Sequence, residues 1–178
     1  VNSGLKWLFA DANGISATLQ DREYITNSTL VNTGGVTQSI VVTNKNLAGS
    51  TRSLKFVSGS YLKQVDGYDF DFGTGNLTFE AWINPTGISG TQYIFDCRRG
   101  SATTGLNIRM VDQTLRVFDH TTNIILSGNV FTSANTWYHI AVVRNEGVMS
   151  AYVNGTQAGS NASNSTDFGY GPCFVGAD

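Results

Sequence analysis

Cleaving a glycosidic bond takes two carboxylates on either side of it, and on a strand such a pair would recur at two- or four-residue spacing. The chain has three glutamates, Glu23, Glu80 and Glu146, and none is followed by a second acid two or four positions on. Glu80 is the one candidate acid, and the competing reading makes it a hydrogen-bonded structural residue. The only histidines are His120 and His139. His139 falls in a Trp-Tyr-His run that reads as strand, where a satisfied structural ring is expected. His120 lies at a predicted strand end beside Asp119, and a lone Asp-His dipeptide does not make a catalytic triad. No Gly-x-Ser-x-Gly elbow or phosphate-cradling glycine loop occurs. The residues predict no catalysis.

Binding asks for different groups. A sugar needs a flat aromatic ring for its apolar face and planar polar donors around its hydroxyls. Trp82, Arg144 and Tyr152 on strands, with Arg98, Arg99 and Tyr170 on loops, are the candidate carbohydrate-binding residues. Trp82 could instead belong to the core. Arg98-Arg99 reads either as a solvated loop or as a clamp on an acidic glycan. Cys97 and Cys173 have no second Cys or His at metal-ligand spacing. They are either two free thiols on separate strands or a bridge, worth roughly 4 kcal/mol in the chain-entropy model. In so Asn-, Ser- and Thr-rich a chain many of the Asn-x-Ser/Thr sequons at Asn27, Asn76, Asn154, Asn161 and Asn164 would arise by chance, and they matter only in a eukaryotic secretory setting.

The elements that must carry these groups are strands. Ser, Thr and Asn supply 52 of the 178 residues and Gly another 20, while charged residues are only 13%. Such a chain is rich in turn and strand formers and poor in helix formers. Leu77-Thr78-Phe79-Glu80-Ala81-Trp82-Ile83 alternates in two faces and is stopped by Pro85. Further strands are predicted at 4–10, 38–43, 53–57, 61–65, 92–97, 105–111 and 114–120. A hairpin follows over 137–154 with Glu146-Gly147 at its tip, and a last strand begins at Phe174. Strands about ten residues apart with turn signals between them predict an all-β sandwich or barrel. Net charge is −2 and no basic stripe is present, so nucleic acid is not an expected partner. No apolar run is long enough for a membrane-spanning helix.

Four stretches together resemble a known family. Ser53-Leu54-Lys55-Phe56 with Gly59-Ser60-Tyr61-Leu62 is similar to the opening of laminin-G-like domains. The run from Asp69-Phe70-Asp71-Phe72-Gly73 to Ala81-Trp82-Ile83-Asn84-Pro85 resembles their central signature. Trp137-Tyr138-His139-Ile140-Ala141-Val142-Val143-Arg144 and Tyr152-Val153-Asn154-Gly155 resemble the two that follow. The resemblance implies a single concanavalin A-like jelly roll, an all-β, two-sheet antiparallel β-sandwich, over 1–178. The family's usual closing strand is not found before Asp178, so the domain is expected to stop short of it and leave an edge for other residues to fill. Related lectin-like sandwiches hold calcium, which makes Asp66, Asp69 and Asp71, and Asp11 with Asn13, candidate ligands; the other reading is Asx turns. The signature also resembles modules of phage virion and bacterial surface proteins. It implies a non-catalytic display or binding role at an extracellular or virion surface, in a possible oligomer. Partners would be a glycan or, in a structural decoration domain, neighbouring protein subunits.

Overall fold

The computed structural model describes residues 18–19, 28–33, 37–40, 52–64, 72–98, 104–169 and 172–176. Its strands begin with β1 (Thr18–Leu19), β2 (Ser28–Thr33), β3 (Thr37–Ile40), β4 (Arg52–Lys55) and β5 (Tyr61–Gln64). They continue as β6 (Leu77–Ile83), β7 (Thr91–Asp96), β8 (Asn107–Val111), β9 (Thr114–Phe118) and β10 (Asn123–Asn129). The last are β11 (Tyr138–Asn145), β12 (Val148–Val153), β13 (Thr156–Gln157), β14 (Ala162–Ser163) and β15 (Phe174–Val175). No helix occurs among the described residues.

One sheet has eight strands in the order β1-β2-β5-β15-β7-β8-β9-β10, and the other five, β13-β12-β11-β6 with β14 also on β12. A separate two-stranded ribbon joins β3 to β4. Every pairing is antiparallel. Period-two alternation decides which face is covered. On β6, Leu77 and Phe79 are buried while Thr78 and Glu80 are exposed. Opposite them on β11, Val142 and Arg144 are buried. The Glu146-Gly147 hairpin turns at φ 49° and 75°, as the tight turn between two twisted strands requires.

Both sheets contribute to one core. Leu62, Phe95, Ile108, Met110, Leu115, Val117 and Ile125 come from the larger sheet, and Leu77, Phe79, Ile140, Val142, Met149, Ala151 and Val153 from the smaller. The Phe79 and Phe95 rings meet across the layers at 5.0 Å. β15 lies in the middle of the larger sheet, between β5 and β7, with Phe174 opposite Asp96. The next residues outward are Cys97 and Cys173, which form a disulfide with a Cα–Cα distance of 4.2 Å. The bridge is the realised alternative.

Strand β10 was not among the expected strands. Its Ile124-Ile125-Leu126 run does not alternate, and register shifts between Asn123 and Ile125 and again between Leu126 and Asn129 explain why. The expected strand at 4–10 lies outside the described residues.

Candidate functional site

A two-layer sandwich leaves each sheet one outer face, and the sequence-predicted residues divide between them. Trp82 and Tyr152 share the outer face of the smaller sheet. Trp82 stands opposite His139, with ring centroids 5.1 Å apart. Glu80 and Tyr152 flank the small Ala141 one pleat along. Trp82 is half-buried on this outer face, so it is a surface ring and not part of the core. Glu80 is exposed there and its carboxylate makes no hydrogen bond with a described residue, which corrects the reading of it as a bonded structural acid.

Arg144 also requires correction. It points to the opposite side of β11, into the core, and is 0% exposed. Its Nε donates to Gly75 O at 2.6 Å, Nη1 to Thr166 O at 2.7 Å and Asn164 Oδ1 at 3.4 Å. Nη2 donates to Gly73 O at 2.7 Å and Phe72 O at 3.3 Å, and the guanidinium lies 4.8 Å from the Phe168 ring centroid. Burial lowers the Arg144 pKa and the charge of Asp167 works against that. Its planar fork thus pins the 72–75 and 164–168 segments to β11, and no sugar can reach it. Arg99, Tyr170, Asp11, Asn13, Asp66, Asp69 and Asp71 lie outside the described residues. Among the described residues no group of three His, Cys, Asp or Glu side chains is placed to hold a metal.

Arg98 belongs to the outer face of the larger sheet, and that face is the richer one. One row across the strands carries Lys63, Phe174, Asp96, Asn107, Phe118 and Asn123, each in register with the next. The adjacent row carries Tyr93, Arg109, Arg116 and Leu126. A bulge between Tyr93 and Phe95 puts Tyr93 and Asp96 on the same face although strict alternation would separate them. The Arg109 guanidinium lies 4.6 Å from the Phe118 centroid and 5.8 Å from that of Tyr93. The Arg98 guanidinium lies 5.8 Å from the Tyr93 ring centroid. Tyr61 packs edge-on against Phe174 at 5.5 Å, and the Lys63 ammonium sits 5.8 Å from the Phe174 ring centroid.

Charge on this face is predominantly positive. Asp96 is the one carboxylate in its described rows, and Arg98 occupies it: Nε donates to Oδ1 at 2.8 Å and Oδ2 at 3.0 Å, and the backbone N of Arg98 donates to Oδ1 at 3.0 Å. These bonds raise the Arg98 pKa against the opposing effect of its burial. Lys63, Arg109 and Arg116 have no ion-pair partner among the described residues. Asn107 is 0% exposed, and neither its Nδ2 nor its Oδ1 has a hydrogen-bond partner among the described residues; Arg109 Nε is buried and unpaired among them in the same way. Asp119 is used otherwise. Its Oδ1 accepts from Thr121 N at 3.0 Å, Thr121 Oγ1 at 2.8 Å and Thr122 N at 2.9 Å, so it closes the β9–β10 turn and does not orient His120.

Asn107, Arg109, Arg116, Phe118, Phe174 and Tyr93 were not singled out from the sequence. Arg109 and Arg116 do alternate with apolar neighbours along their strands, which is a visible signal. That the two strands bring them side by side depends on register, which the tight Asp112-Gln113 turn sets.

Residues 56–178, more than half of the chain, match the family model described as the concanavalin A-like lectin/glucanases superfamily, in its laminin-G form. No curated protein sequence matches. Among solved structures, domain 4 of the extracellular arabinanase AbnA of Geobacillus stearothermophilus, in complex with arabinotriose, is similar with a TM-score of 0.66 and 13% identity over 89% of this chain and 77% of that one. A botulinum neurotoxin type C structure, described with cell entry that depends on two ganglioside molecules, has a TM-score of 0.63 and 12% identity over 98% of this chain but only 42% of that one. The binding domain of botulinum neurotoxin DC with rat synaptotagmin II follows at 0.57 and 13%, over 89% and 41%. These likenesses are of fold, and they agree with the sequence match: the chain belongs to the concanavalin A-like lectin/glucanase superfamily.

Proposed function

We propose that this domain is a non-catalytic glycan-binding module and that it binds through the outer face of its eight-stranded sheet. The observation that carries the reading is the gathering of Tyr93, Phe118 and Phe174 with the planar donors of Arg98 and Arg109 on that one face. Rings supply the apolar surface for a pyranose and guanidinium groups supply directed bonds to its oxygens. A two-carboxylate hydrolysis has no support in the same rows, because Asp96 is held by Arg98 and no second described acid stands beside it. The arabinotriose complex of the arabinanase domain accords with a carbohydrate-binding use of this fold. The Cys97–Cys173 bridge accords with an oxidising, extracellular setting. Display on a virion or cell surface rests on the resemblance of the central signature alone.

A glycan array tests the reading with two variants that retain the fold. Phe118→Ala should abolish the glycan signals of the parent protein, while Trp82→Ala on the opposite layer should leave them. The reverse pattern would transfer the site to the Trp82–His139 face. A parent protein that binds no glycan, yet forms a stoichiometric complex with neighbouring subunits, would favour structural decoration instead.

A further inference from the structure

Three features of the larger sheet's outer face are costly for a free protein. Arg109 and Arg116 are direct cross-strand neighbours, and like charges so placed repel. Arg116 has a single weak side-chain bond, Nε to Thr114 Oγ1 at 3.3 Å, and no described carboxylate lies between the two arginines. Asn107, fully buried one pleat away, leaves both ends of its carboxamide unsatisfied, as does Arg109 at Nε. A buried polar group without a partner is destabilising, and native structures keep few of them. An apolar residue at position 107 would fit between Asp96 and Phe118 without that cost. Two repelling guanidiniums and an orphaned amide on one face share one remedy, an anion with several acceptor oxygens.

We propose that the face selects an acidic glycan, and that the carboxylate of a hexuronate-type sugar is what Arg109, Arg116 and Asn107 recognise together. The proposal rests on the glycan-binding reading above and adds the charge and position of the group bound. Two guanidinium forks offer bidentate donors to a carboxylate, and its negative charge removes their repulsion. Arg109 now leans over Phe118, the residue opposite Asn107. Turning it toward the carboxylate satisfies its Nε and opens the Asn107 amide, whose Nδ2 donates to an oxygen of the same sugar. Phe118 and Tyr93, released from the arginine, are then free to face the ring. Lys63 lies further along the row, where the next acidic residue of a polymer would come.

Polygalacturonate, and the same polymer fully methyl-esterified, separate charge from backbone. By calorimetry the parent protein should bind polygalacturonate and bind the ester at least about tenfold more weakly, the size of one lost bond to a charged group. Asn107→Leu keeps every charge, so it should lose at least about tenfold in affinity while its melting temperature stays or rises. Arg116→Met should lose at least as much. Equal binding of acid and ester would overturn the acidic selectivity and leave the glycan reading standing. Binding of neither polymer, with no signal on a glycan array, would end both. Polygalacturonate affinity unchanged in Asn107→Leu would reduce the attraction to unspecific charge, and a fall in its melting temperature would make Asn107 a structural residue; either result overturns the site.

Discussion

Single residues show how a motif can be recognised while its role is misjudged. In the sequence Arg144 is a planar donor on a predicted strand, and that much holds in the structure. Its direction was not legible, because the carbonyls it binds come from segments about 20 and 70 residues away, at Thr166 and at Gly73 and Gly75. Arg144→Met should cost about 3–5 kcal/mol in urea unfolding, since it strands several buried acceptors at once. Arg144→Lys should recover only part, as one ammonium cannot span both segments. Asp119 gives a pH prediction. Burial pushes its carboxyl up, but the bonds from Thr122 and Thr121 outweigh this and leave it below the ordinary 3.8. A carboxyl lowered in the folded state contributes stability above its unfolded pKa and loses it as pH falls through the folded one. Asp119→Asn should therefore lower the urea midpoint at neutral pH and flatten its decline on the acid side of 3.8, as a pH series of unfolding curves would show.

Elements were legible wherever they alternate strictly. β6 and the β11–β12 hairpin fall where their periodicity puts them, because one face of each meets the core without interruption. β7 and β10 are bulged, and there the two-residue period fails to assign faces. That failure hid the site, since the bulge is what brings Tyr93 and Asp96 onto one surface. The connection from β7 to β8 holds a second constraint that only the fold reveals. A Cβ at Gly105 would come within 2.6 Å of Cys97 O and 2.7 Å of Arg98 Cα, both backbone atoms that cannot turn aside. Gly105→Ala should therefore destabilise the domain by about 1–3 kcal/mol and weaken glycan binding by displacing Arg98. Gly87→Ala, with open space around the added carbon, should be neutral or slightly stabilising in the same unfolding assay.

For the whole molecule, composition predicts an all-β chain and strand spacing a sandwich or barrel, while the choice of two packed sheets rests on the four motifs of the resemblance. How the last described strand joins them was not legible. β15 has only two residues, too few for any periodic signal, yet it is the link between β5 and β7 in the larger sheet. Two residues of ladder cannot hold that place by themselves. The Cys97–Cys173 bridge, adjacent to the Phe174–Asp96 pair, ties β15 to β7 and closes a loop with a sequence separation of 76. In the chain-entropy model a loop of that length contributes roughly 4 kcal/mol. For a domain of this size each kcal/mol moves the melting temperature by about 2–4 °C. Reduction, or the Cys97→Ser/Cys173→Ser double variant, should therefore lower the melting temperature by about 8–16 °C. Cys97 and Cys173 belong to the core, but Phe79 and Phe95 join its two layers without them, so the reduced protein should still unfold in one transition. Loss of β15 alone would instead give a separate early transition on reduction. Because Phe174 sits on the face proposed to bind glycan, that early step should remove glycan binding before the main unfolding, whereas a melting temperature unmoved by reduction would show that the ladder needs no bridge.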